Sequence, residues 1–294
     1  MPKFRWIAAA VVPALMLLAV VPASGASVTD PGRWRLTSTR HIPLTYYQGS
    51  AADGAGHFFF NGHVGLYRTD ASLRLQKRDD DIIPPAVHLR EGYDHIGDID
   101  YDVYGKRVLL PMECYYERFS TRVCKTGSIG VVDPTTLKWR YYVKLDPTEI
   151  PKAMWCTVSP DGQLLWTSSG DDLLAYRMSD ISRAHAAPTA APIHSVRRIV
   201  GGVPEAGITG GAFYQGRLYL AGQQDRTFSV SSLDLATGNL RLEIVREIVG
   251  EGEGLSVMPA LGGVLHWTVM PYNTETIPTY GVRHGAFLTF TPAA

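Results

Sequence analysis

The chain has 294 residues, and its 28 Lys plus Arg are balanced by 28 Asp plus Glu, so its formal charge is zero. That balance excludes a nucleic-acid binder held by a concentrated basic surface. Hydrophobic residues make up 45%, ordinary for a globular protein, while 29 glycines and 19 prolines point to many turns.

The first segment reads as a secretory signal peptide. Lys3 and Arg5 precede an apolar run from Ile7 to Val21, and Pro22-Ala23-Ser24-Gly25-Ala26 supplies small residues for cleavage. The run is shorter than the ~20 residues of a spanning helix. No Cys follows it to carry a lipid. The expectation is removal of residues 1–26, leaving 27–294 as one secreted, extracellular domain, monomeric and without membrane insertion.

The rest alternates short apolar or aromatic runs with Gly, Asp, Asn and Pro, the pattern of strands and turns. Five rounds follow in chain order. The first is Tyr46 to Asp79. The second begins at His95 with "HIGDIDYDVYGKRVLLPM" and ends at Asp146. The third starts at Ala153 with "AMWCTVSPDGQLLW" and ends in the outer piece "HSVRRIV". The fourth starts at Gly207 with "GITGGAFYQGRLYLAG". The fifth is "GLSVMPALGGVLHWTVMPY" followed by "HGAFLTFTP". Each round runs from a small-residue strand through a tight turn to an apolar strand, then to an Asp-centred turn and a charged outer strand. The starts lie roughly 45 to 58 residues apart. Four strands at that period predict propeller blades, with small residues where inner strands crowd the axis.

The fifth round lacks an outer strand, and Gly32 to Ile42 has no round of its own. The predicted fold is therefore an all-β five-bladed propeller whose last blade is closed by the N-terminal strand. Six blades are the alternative, if Ser179 to Pro204 holds further strands. Two stacked β-domains are a second. That same stretch begins Ala-rich, but Pro188 and Pro192 limit it to one short helical turn.

Three cysteines in an exported chain permit one disulfide. Cys114 with Cys124 is the favoured pair, leaving Cys156 a buried thiol, and Cys114 with Cys156 is the alternative.

In rhythm the chain resembles the secreted bacterial β-propellers of the YncE-like, quinoprotein-like and gluconolactonase-like group. The resemblance spans nearly all of the mature chain. No WD series, kelch double-glycine series or sialidase box accompanies it, and "SPDGQLLW", Ser159 to Trp166, only approaches the last. It implies calcium or a substrate at the channel mouth.

In such a fold the starts of the inner strands and the loops between second and third strands share one face. Asp98 and Asp100, two apart on a strand, point the same way. Three readings stand for His95 and Asp98. Asp98 can cap backbone. It can bind Ca2+ with Glu113, Glu253 and carbonyls, since hard cations want six to eight oxygens. Or His95 with Glu113, and Asp98 with Glu253, can act as acid–base pairs, with His57 and His63 nearby. Tyr115, Tyr116, Trp155, Gln223, Tyr272 and Asn273 are candidate substrate contacts, the tyrosines on two long loops. Trp139 and Trp166 read as packing between blades, and Asp79-Asp80-Asp81 as a solvated turn. No Gly-x-Ser-x-Gly elbow and no His-Glu-x-x-His site occurs, and no nucleotide or organic cofactor is indicated. Two functions follow. One is a secreted hydrolase or lyase working at the mouth on a small or polymeric substrate, with calcium as candidate support. The other is a non-enzymatic propeller binding a glycan, a cell-wall component or a protein through the Tyr-rich loops.

Overall fold

The computed structural model describes residues 29–115, 124–203, 207–224, 226–248, 250–271 and 284–294. Its strands form five antiparallel sheets, the blades of a propeller. The expected signal peptide, and Tyr116, Tyr272 and Asn273, lie outside the described residues.

Blade 1 runs from axis to rim as Gly49–Ala52, His57–Asn61, Leu66–Asp70 and Leu75–Asp79. Blade 3 is Thr157–Val158, Leu164–Ser169, Asp172–Arg177 and Arg197–Ile199. Blade 4 is Ile208–Tyr214, Arg217–Gln224, Thr227–Leu233 and Leu240–Glu247. Blade 2 breaks its inner strand into His95–Ile96 and Asp100–Asp102, both paired to Arg107–Glu113, with Ser128–Val132 and Trp139–Lys144 outside. The break frees Asp98 from the ladder, whereas the Gly97 N–H still donates to Pro111 at 3.0 Å. The Asp98 N–H instead donates to Met154 of blade 3 at 2.9 Å, and the Asp98 carbonyl accepts from Cys156 N–H at 3.0 Å.

Blade 5 joins Gly250–Ala260, Gly263–Pro271 and Gly285–Pro292 to the N-terminal strand Trp34–Ile42. Trp34 pairs with Pro292 and Ile42 with Gly285, so the edge is covered as expected. Among its described residues, the stretch weighed for a sixth blade adds the strand Arg197–Ile199 and the 3-10 turn Arg183–His185. A seven-residue helix, Pro85–Glu91, bridges blades 1 and 2 and was not foreseen. Seven residues are too few for a helical period to show.

Period-two alternation builds the core between blades. Phe58 and Phe60 pack with Phe287 and Met258 of blade 5, whereas Phe59 packs with Ile96, Ile99 and Leu110 of blade 2. The two outer turns read as equivalent are alike in detail. Asp133 accepts from the N–H groups of Thr135 and Thr136, and Asp234 from those of Ala236 and Thr237. Cys114 and Cys124 form the favoured disulfide, and Cys156 is a buried free thiol.

Candidate active site at the channel mouth

The inner strands meet around the axis, and a glycine recurs where they crowd it. Gly49, Gly210 and Gly254 surround the Asp98 side chain. A Cβ on Gly254 would lie 1.9 Å from Asp98 Oδ1, one on Gly210 2.9 Å from Oδ2, and one on Gly49 2.7 Å from Asp98 Cα. This closeness lets backbone reach the carboxylate. Asp98 Oδ1 accepts the Ser50 N–H at 3.0 Å, and Oδ2 accepts those of Gly211 at 3.2 Å and Leu255 at 3.0 Å. One fully buried side chain thus ties blades 1, 4 and 5 to blade 2, and its backbone adds blade 3. Burial holds its carboxyl well above the usual carboxylate range, against the three donors.

Of the three readings for Asp98, this geometry favours the cap. The donors around it form a cradle for an anion, and a cation there would meet three N–H dipoles. The donor set at Asp98 therefore does not fit calcium. Among the described residues no group of three or more His, Cys, Asp or Glu is arranged to hold a metal.

Glu253 sits at the start of the blade 5 inner strand, 9% exposed. Its Oε1 accepts the Gln48 amide N–H of blade 1 at 3.2 Å. Burial first, then the charges of Glu251 and Asp98, push its carboxyl well above the usual range, and a hydrogen bond shared with the Glu251 carboxyl adds to this. Glu251 is partly exposed. A hydrogen bond between two carboxyl groups needs a proton on one of them, and burial disfavours the charged form of Glu253. Gln223 frames this spot. Its amide accepts from Gly252 N–H at 3.0 Å and donates to the Gly250 carbonyl at 3.1 Å. It thereby fixes the strand that carries both glutamates. Thr209 Oγ1 donates to the Glu253 carbonyl at 3.1 Å.

A second cluster lies beside it, between blades 1 and 2. His95 Nδ1 is 2.9 Å from Glu113 Oε1, although the imidazole N–H is not aligned for a hydrogen bond. Tyr115 stacks on His95 with centroids 5.0 Å apart, and His63 meets His95 edge-on at 4.8 Å. Burial, then the neighbouring His95, lower His63 to about 4. Asn61 joins the clusters. Its amide donates to the carbonyls of Ile96 and Gly97, both at 3.0 Å, and its backbone carbonyl accepts from Gln48 N–H.

Other candidates lie elsewhere. Trp155 is fully buried, with its ring over Gly211 and its Nε1–H donating to Ser168 Oγ at 2.7 Å, so no ring face is open to a ligand. Trp166 is buried core under the Arg197 guanidinium, and Trp139 is partly buried, packed against the core that blades 1 and 2 share. His57 is at the opposite end of its strand from the mouth, bonded to Asp53 and Arg68, and does not join His63. Gln48 and Glu251 were not singled out from sequence. A signal for Gln48 existed: Gln48-Gly49, Thr209-Gly210 and Glu253-Gly254 repeat one pattern, a mouth residue followed by an axial glycine.

No family model matches the chain, and no curated protein matches it. Among solved structures it is similar to the glutaminyl cyclase of Myxococcus xanthus, with a TM-score of 0.55 and 13% identity over 89% of this chain and 97% of that one. It is also similar to the hydrazine synthase of Kuenenia stuttgartiensis, with a TM-score of 0.45, 12% identity and 87% and 66% of the two chains covered. The extracellular domain of the one-component system BT4673 from B. thetaiotaomicron gives 0.45, 16%, 85% and 33%, so this chain spans about a third of that length. At such identities the likeness is one of fold, that of bacterial β-propeller proteins.

Proposed function

We propose that the chain is an acid–base enzyme, a hydrolase or lyase, that takes a small or polymeric extracellular substrate at the channel mouth. The observation that carries this reading is the Glu253–Glu251 carboxyl pair held by Gln48. A buried carboxyl whose surroundings favour the protonated form can give its proton to a leaving group, with the partly exposed Glu251 beside it in position to take one. Gln48 donates to Glu253 Oε1 and so sets which oxygen remains for the substrate. His95 and Glu113 flank the mouth and can bind or steer a polar substrate. Asp98 serves as positioning residue beneath them. No step in this reading draws on a nucleotide, an organic cofactor or a metal.

An extracytoplasmic monomer is the accompanying expectation. The Cys114–Cys124 bond suits an oxidising compartment, and no helix among the described residues is long and apolar enough to cross a membrane. The fold is shared with a glutaminyl cyclase, so a glutaminyl peptide is the first compound to try.

The test is a turnover screen of the purified mature chain with glutaminyl peptides, glycosides and uronic-acid polymers, beside Glu253→Gln. Turnover that falls by about 10²–10⁴ in the variant supports the reading. Glycan or cell-wall binding through the Tyr115 side of the mouth, with no turnover of any substrate, would replace it with the binding-propeller function.

A further inference from the structure

A second opening lies at the other end of the axis, where the inner strands finish. It encloses about 200 Å³ below the level of Asp98. Its lining includes Asp100, Tyr101, Thr157, Phe213, Leu255 and Val257. This is smaller than the roughly 300–1,000 Å³ of sites for drug-sized ligands, so a small occupant is required.

The lining has one charged side chain, Asp100, and no Lys, Arg or His. Asp100 is held from its own chain. Oδ2 accepts Val158 N–H at 2.7 Å and Thr157 O–H at 3.0 Å, and Oδ1 accepts Tyr101 N–H at 2.7 Å. A carboxylate has about four acceptor positions, so Oδ1 retains one. The serine hydroxyls nearby are already engaged. Ser256 Oγ bonds Ser50 Oγ at 2.9 Å, and Ser159 Oγ donates to Asp161. The ring of Tyr101 stacks on Phe59 at 5.7 Å, which fixes it as wall, and Phe213 supplies a second aromatic wall. An acceptor-only charge, in a lining of mixed polar groups and aliphatic and aromatic side chains, repels anions. It favours a cationic donor whose body is apolar, through a charge-assisted bond and ring faces.

We propose that this cavity binds a small organic ammonium ion, its nitrogen on Asp100 and its alkyl body against Phe213, Leu255 and Val257. This site is at the opposite end of the axis from Glu253 and is independent of the acid–base reading.

The experiment titrates the full mature chain with n-butylammonium chloride, n-butanol and sodium butanoate, following amide shifts by NMR and heat by calorimetry. The ammonium should bind about tenfold tighter than the alcohol, and butanoate should not bind. Asp100→Asn and the cavity-filling Val257→Phe, each checked for a native circular dichroism spectrum, should each weaken the ammonium by about tenfold or more. Glu253→Gln should leave it unchanged. Equal binding of alcohol and ammonium, no binding up to the solubility limit, or loss in Glu253→Gln with Asp100→Asn unaffected would each overturn the assignment.

Discussion

The carboxylate of Asp98 accepts the N–H of Leu255 at 3.0 Å, across the propeller axis and 157 residues along the chain. The bond makes a blade 2 side chain part of blade 5's backbone ladder. Ser50 and Gly211 add the same link to blades 1 and 4.

Asp98→Ala should therefore be among the most destabilising changes in the molecule. It strands three buried N–H donors, and at roughly 1 kcal/mol or more each the loss is at least about 3 kcal/mol. Gly254→Ala should be comparable, because its new Cβ would overlap Asp98 Oδ1. Urea unfolding monitored by tryptophan fluorescence gives both values. A loss under 1 kcal/mol in Asp98→Ala would mean that the carboxylate is not an axial tie (about one donor's worth).

Glu253 should leave a signature in the pH dependence of stability. Its folded pKa lies well above the ordinary value of 4.5. Between 4.5 and the folded value the native state holds a proton that the unfolded chain has released. Stability contributed by the protonated form is complete at low pH and is lost as pH rises through that window. Glu253→Gln removes this term, so its melting temperature should exceed that of the parent at pH 8, with the gap closing towards pH 4. A constant gap across this range would show that Glu253 is not held protonated.

Reduction of Cys114–Cys124 should cost about 2–3 kcal/mol, by the loop-entropy relation for a closure of ten residues. The paired Cys114→Ser, Cys124→Ser variant should match the reduced protein. Cys156 should stay unreactive to a thiol reagent until the fold opens, because burial keeps its thiol up and out of solvent. Fast labelling of Cys156 in the native state would contradict its place in the core.

Chelation tests the anion-cradle reading of Asp98. Melting with and without EDTA should give one temperature, since a bound ion would add stability by mass action. A drop on chelation that Asp98→Asn abolishes would overturn that reading.

Much of the propeller was legible because its signals are local. Small residues at Gly207 to Gly211, turns at Asp133 and Asp234, and an unmatched strand at Gly32 to Ile42 each stand within a few residues. The site was less legible because its contacts are not local. Gln48 meets Glu253 across 205 residues, and only closing the ring brings them together. Asp98 showed its spacing from Asp100 but not the donors that converge on it. Those come from blades 1, 4 and 5, and a carboxylate's role depends on what faces it. The short spacing was also misleading for Asp98 and Asp100 as a pair. One is sealed at the axis and the other opens to the far cavity.

The clasp of blade 5 sets an order on assembly. Trp34 waits for Pro292, a partner 258 residues later, so the first strand made is among the last to be satisfied. Until then blades 1 to 4 form an open arc with a bare edge at each end. The chain leaving a ribosome remains unclosed for nearly its whole length. The ring thus locks only once the chain has been made through Gly285–Pro292.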